Sequence, residues 1–138
     1  MSYSDDQIVN VCLGNWDFGD GNTVDIQSWR LPPGFKGEVI AVGVSITETV
    51  NALTTAPTVK VGTAANDDAY ALLTIPNGTA DKDFFDQTDD TDAIIAAASG
   101  QDAQIPAGTL VQFTGTQAAT SGTAAGKGNV IVTFRLWK

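Results

Sequence analysis

Glu38-Val-Ile-Ala-Val-Gly-Val-Ser-Ile-Thr-Glu-Thr-Val50 is the longest strand-like stretch in the chain, and its reading decides the fold class. Val42, Val44 and Ile46, joined by Ile40, alternate with Val39, Ala41, Gly43, Ser45 and Thr47. Successive side chains of a strand point to opposite faces, so the first set looks into a core. The second set is a face of small residues, which lets another element approach closely. β-branched residues dominate, and they pack better on a pleated surface than around a helix. The stretch predicts a long, half-buried strand.

Shorter segments of the same kind lie on both sides of it. Upstream, Pro32-Pro33-Gly34 ends pairing, because proline gives nothing to a ladder. Before that, Thr23 to Leu31 places Val24 and Ile26 on one face and Trp29 and Leu31 on the other, which predicts a bulge or a twist near Ser28. Ile8 to Leu13 reads as a first strand stopping at Gly14. Downstream, Thr58 to Gly62 turns Val59 and Val61 inward, and Tyr70 to Ile75 follows, closed by Pro76-Asn77-Gly78. Ala93 to Ser99 reads as a strand or a short turn. Thr109 to Thr116 and Asn129 to Lys138 are the last strands, separated by a Gly/Thr/Ala-rich loop over 117–128. In the final strand Val130, Val132, Phe134 and Leu136 share one face.

Seven to nine strands with turns every 8–15 residues or so, and no amphipathic stretch of helical length, predict one all-β antiparallel sandwich of jelly-roll type. Parallel crossovers would need helices that the pattern does not supply. Residues 1–22 read as an N-terminal arm, or a first strand and turn, able to contact a partner. Residues 23–138 read as the sandwich.

The composition narrows the function. The chain has 138 residues, 7 Lys+Arg against 16 Asp+Glu, no histidine and one cysteine, for a net charge of −9. A domain of this size buries enough surface to fold without disulfides or metal. Lacking histidine, it has neither the commonest general base nor the commonest zinc ligand. The negative charge argues against a phosphate backbone or an anionic membrane as partner. No apolar run reaches the ~20 residues of a membrane span, and Met1-Ser2-Tyr3-Ser4-Asp5-Asp6 has no signal-peptide character. Synthesis in a cytoplasm is the expectation, in keeping with an unpaired Cys12.

Candidate chemistry is sparse. Asp81 to Asp92 holds six aspartates around Phe84 and Phe85, but lacks the glycine and closing glutamate of a calcium loop, so a solvated acidic loop is expected. Asp17-Phe18-Gly19-Asp20-Gly21-Asn22 reads as a turn. Glu38 and Glu48 on one strand would stand roughly 33 Å apart, too far for paired acid–base hydrolysis. Gly122 to Gly128 lacks the serine or threonine of a phosphate loop and leads into a strand. Cys12, in an apolar strand with no histidine to activate it, is expected to be a small core residue. No catalytic, cofactor or metal site is expected. Trp16, Phe18, Phe84 and Phe85, set among polar loop residues, are the candidate interface residues; each could instead anchor its own loop. Trp29 and Trp137 belong to strands.

Leu31-Pro-Pro-Gly-Phe-Lys-Gly-Glu-Val-Ile-Ala-Val-Gly-Val-Ser-Ile-Thr-Glu-Thr, Ile105-Pro-Ala-Gly-Thr-Leu-Val and Gly122-Thr-Ala-Ala-Gly-Lys-Gly-Asn-Val-Ile-Val-Thr-Phe-Arg-Leu-Trp together resemble short acidic β-sandwich proteins of tailed bacteriophages, in particular capsid decoration (cement) proteins. The resemblance spans about residues 31–138 and rests on strand and turn pattern. It implies a non-enzymatic virion protein on the outer capsid surface, binding the major capsid protein as a homotrimer at three-fold positions. The rival expectation on the same scaffold is a carbohydrate- or receptor-binding module of a tail fibre.

Overall fold

The computed structural model describes residues 6–19, 24–51, 53–95, 104–119 and 125–138. They form β1 (Gln7–Asp17), β2 (Val24–Arg30), β3 (Lys36–Asn51), β4 (Leu53–Gly62), β5 (Ala71–Thr74), β6 (Phe84–Asp86), β7 (Ile94–Ile95), β8 (Leu110–Ala119) and β9 (Ala125–Trp137). There is no helix among the described residues. Every neighbouring pair is antiparallel, in one sheet ordered β1-β9-β3-β6 and another ordered β2-β8-β4-β5-β7.

Setting aside the two-residue β7, the pairing is nested. The first strand pairs with the last, β2 with β8, β3 with β6 and β4 with β5. Alternate pairs of this wound ribbon fall in opposite sheets, which is the strand order of a jelly roll. The all-β antiparallel expectation holds.

The core lies between the sheets. Val39, Val42, Val44 and Ile46 of β3 and Val130, Val132, Phe134 and Leu136 of β9 meet Val59, Val61, Leu73, Val111 and Phe113 from the other sheet. Phe134 is the centre: Phe113 meets it edge-on at 6.1 Å and Trp29 lies tilted against it at 4.8 Å. Burying each such side chain stabilises by roughly 1.5–3 kcal/mol.

Several local expectations are corrected. The pairing of β3 with β9 shifts register between Val39 and Ala41, which turns Val39 into the core and leaves Ile40 37% exposed. β1 does not stop at Gly14. That glycine adopts a φ of 78°, the left-handed region open to glycine, and the register shifts between Cys12 and Asn15 before pairing resumes to Asp17. β2 pairs with β8 in unbroken register through Ser28, so of the two alternatives expected there the bulge is absent. The 117–128 loop is shorter than its composition implied, since β8 runs to Ala119 and β9 starts at Ala125. Ile94 and Ile95 form a strand; the rest of the Ala93–Ser99 segment, from 96, lies outside the described residues, as does 20–22 of the Asp17–Asn22 turn. The expected facing of Val24 and Ile26 also falls outside the described side chains.

Candidate functional site

Three of the four strands in the β1-β9-β3-β6 sheet are long; inward and outward positions alternate along β9, and along β1 and β3 between their register shifts. The outward residues of their middle rows carry no charge. Asn10, Thr133 and Ala41 form one row, Cys12, Ile131 and Gly43 the next, and Asn15, Asn129 and Ser45 the third. Thr133 Oγ1 donates to Asn10 Oδ1 at 2.7 Å, which fixes the first row across two strands. β6 adds the fourth strand, setting Phe84 beside Ser45 and the carboxylate of Asp86 beside Gly43 at the border of the belt. The Phe84 ring lies on Gly43, where a Cβ would stand 2.4 Å from its Cζ, and the side chain remains 54% exposed. The small-residue face read from the sequence thus has its close neighbour, an aromatic ring that only glycine admits.

Charge gathers at the two ends of the belt. Arg135 Nε lies 3.1 Å from Glu38 Oε1 and Arg135 Nη1 3.7 Å from Asp6 Oδ2. At the other end Lys127 Nζ stands 3.5 Å from Glu48 Oε2 and 3.9 Å from Asp17 Oδ2. Each end therefore presents two carboxylates to one cationic side chain. These groups are exposed, so each pair contributes well under ~1 kcal/mol to stability. Glu38 and Glu48 are thus engaged by different cations at opposite ends of β3.

Beyond β6 the surface turns acidic and concave. A groove of about 490 Å³ is lined by Pro76, Asn77, Gly78, Thr79, Asp83, Phe84, Phe85 and Asp89. A second hollow of about 320 Å³ adjoins it and shares Pro76, Phe85 and Asp89. The aspartates here build the loop. Asp86 Oδ1 accepts from the Thr88 amide at 2.8 Å and hydroxyl at 2.6 Å, and Asp89 Oδ2 from the Asp86 amide at 3.1 Å. Asp90 accepts from the Asp92 amide at 3.0 Å with one oxygen and from the Thr74 amide of β5 at 2.8 Å with the other. Such Asx turns are what short carboxylates do in irregular backbone. Among the described residues no group of three or more potential metal ligands is gathered.

The four residues singled out by sequence separate into two classes. Trp16 and Phe18 are 2% and 1% exposed and pack edge to face at 6.5 Å inside the core. The continuation of β1 past Gly14 carries Trp16 inward, its Nε1 donates to the Leu13 carbonyl at 3.2 Å, and Gly115 of β8 leaves space for its ring. Phe85 is 9% exposed and faces the core, so of the four Phe84 alone offers substantial surface. Cys12 is exposed rather than buried. Val9, Val11 and Leu13 take the inward positions of β1, which leaves Asn10 and Cys12 outward. Of the belt, the small-residue face of β3 was read from the sequence and its β9 part was not singled out. Its signal there was the polar or neutral identity of alternate positions in β9, namely Asn129, Ile131 and Thr133.

The arrangement is suited to contact over area. It offers a neutral, nearly all small-residue sheet face with one aromatic at its edge, framed by carboxylates. Comparison with family models, with curated proteins and with solved structures finds no match for this chain.

Proposed function

We propose that this chain is a non-enzymatic structural protein of a tailed-bacteriophage virion that binds the outside of the capsid shell and stabilises it. The carrying observation is the uncharged belt on the β1-β9-β3-β6 sheet of a chain with net charge −9. The aspartates of the Asp81–Asp92 region support the reading from the other side, because their oxygens hold loop amides. The resemblance of residues 31–138 to decoration proteins supplies the partner, the major capsid protein, and the assembly, a homotrimer at three-fold positions. Three-fold assembly would multiply weak contacts through effective concentration.

The test is to mix purified protein with undecorated capsids and measure uptake by sedimentation. Saturable binding in multiples of three copies is the expected result. No uptake at micromolar protein overturns the reading.

One observation favours a second reading, the carbohydrate- or receptor-binding module of a tail fibre. The groove beside β6 sets an exposed aromatic ring, Phe84, next to Asn77, Asp83 and Asp89, groups that could stack on a sugar and bond its hydroxyls. Trp16, another of the candidate interface residues, is buried and takes no part. Glycan binding lost on Phe84→Ser, together with absent capsid uptake, would establish this rival.

A further inference from the structure

We infer that the neutral belt of β1, β9 and β3 centred on Cys12, Ile131 and Gly43, with Phe84 at its β6 border, is the surface that docks on the partner, and that the partner presents an uncharged patch flanked by basic side chains. The inference rests on the capsid-binding reading above and says which face carries it.

Charge decides both the face and the kind of partner. Carboxylates frame the belt at both ends, through Glu38 with Asp6 and Glu48 with Asp17. They continue along its β6 side, where Asp83, Asp86 and Asp89 follow one another. Each end holds two carboxylates to one cation and is net negative, so a second copy would bring net-negative borders together and the face suits a different molecule. Lys127 and Arg135, which mark the two ends, lie eight residues apart on β9, a span of about 27 Å at the rise of an antiparallel strand. Complementary lysines or arginines on the partner must therefore stand about that far apart, on either side of a neutral contact. Phe84 provides the apolar anchor at the border of the belt, already seated on Gly43 and still half exposed. Side-chain ordering costs little on such a surface, because the middle rows are short residues.

The single thiol makes the inference testable without redesigning the protein. Cys12 is exposed in the middle row, directly opposite Ile131. Undecorated capsids are mixed with unmodified protein, with protein carrying a bulky maleimide adduct on Cys12, and with a Cys12→Ser, Leu110→Cys variant carrying the same adduct. Leu110 is exposed on the other sheet, so its adduct controls for bulk alone. Capsid-bound protein should react with maleimide at Cys12 at least tenfold more slowly than free protein. The Cys12 adduct should reduce uptake at least tenfold, the Leu110→Cys adduct should leave it within twofold, and affinity should fall as salt rises from 50 to 500 mM. Uptake that survives the Cys12 adduct, with Cys12 still reactive on the capsid, overturns this face and leaves capsid binding standing. Affinity that is unchanged or rises with salt overturns the basic partner. Absence of uptake by the unmodified protein overturns the capsid reading and this inference with it.

Discussion

Glycines at two positions are where single residues set the packing of this protein. Gly43 accommodates Phe84 on the outer face, and Gly115 accommodates Trp16 within the core. A Cβ on residue 115 would stand 2.3 Å from Cε3 of an indole that is buried on all sides and cannot retreat. Gly115→Ala should therefore lower stability by about 1–3 kcal/mol, the usual range for overpacking. Urea unfolding followed by tryptophan fluorescence should show a lower midpoint at unchanged slope. A midpoint equal to that of the parent would mean that Trp16 is not held against β8. Cys12 teaches the complementary lesson. An apolar neighbourhood in sequence predicted burial, yet the alternation of an edge strand turned it outward, because Val11 and Leu13 had already taken the inward positions.

Short elements are held by side chains that reach across from loops. β6 has three residues and β7 two, too few for their ladders alone to fix them. Gln87 Oε1 accepts from the Val42 amide of β3 at 3.1 Å, and Asp90 Oδ2 from the Thr74 amide of β5 at 2.8 Å, so one loop binds both sheets. Asp90→Ala removes two amide acceptors at once and should cost about 1–3 kcal/mol, with Thr74 and Asp92 the amides whose hydrogen exchange accelerates most. Exchange at Thr74 that stays at parental rates would show that Asp90 does not hold β5. The elements legible in sequence were those with long alternating runs. The middle and end of β3, the inward set of β9 and the Val59–Val61 pair of β4 were all read correctly, because period two survives wherever one face is buried. Element ends were legible only where proline or a tight turn forced them. Gly14 marked a bulge inside β1, and the Gly/Thr/Ala run after β8 turned out to hold strand at both ends.

At the scale of the whole molecule, the topology pairs the first and last strands: Gln7 of β1 stands opposite Leu136 of β9, and β9 lies between β1 and β3. Closing that pair early in folding costs the entropy of nearly the whole chain as a loop. Refolding from urea should accordingly be slow, in the range of about milliseconds to seconds, measured by stopped-flow fluorescence. Microsecond folding would be incompatible with this nested pairing as the rate-limiting architecture. The net charge of −9 also takes on a location at this scale. Across β1, β9 and β3 the carboxylates sit at the ends of the sheet, and Asp86 of β6 with the aspartates of the loop beyond it borders a neutral middle.

The sequence by itself determined the class of the fold and the character of the surface. Alternating β-branched segments can bury one face only as strands, and a chain with no histidine and an excess of aspartate must carry an acidic, loop-borne charge. Only the tertiary structure decided which aromatics were anchors and which was surface. Trp16, Phe18 and Phe85 lie in or beside polar segments of sequence and are buried; Phe84, next to Phe85, is not. The physical reason is that facing depends on register and on bulges, which are set by partner strands remote in sequence, 39 residues from Ser45 to Phe84 and 112 from Trp16 to Gly128. The neutral belt has the same origin, since it is assembled from alternate residues of β1, β3 and β9, bordered by Phe84 of β6, that become neighbours only when the first strand finds the last.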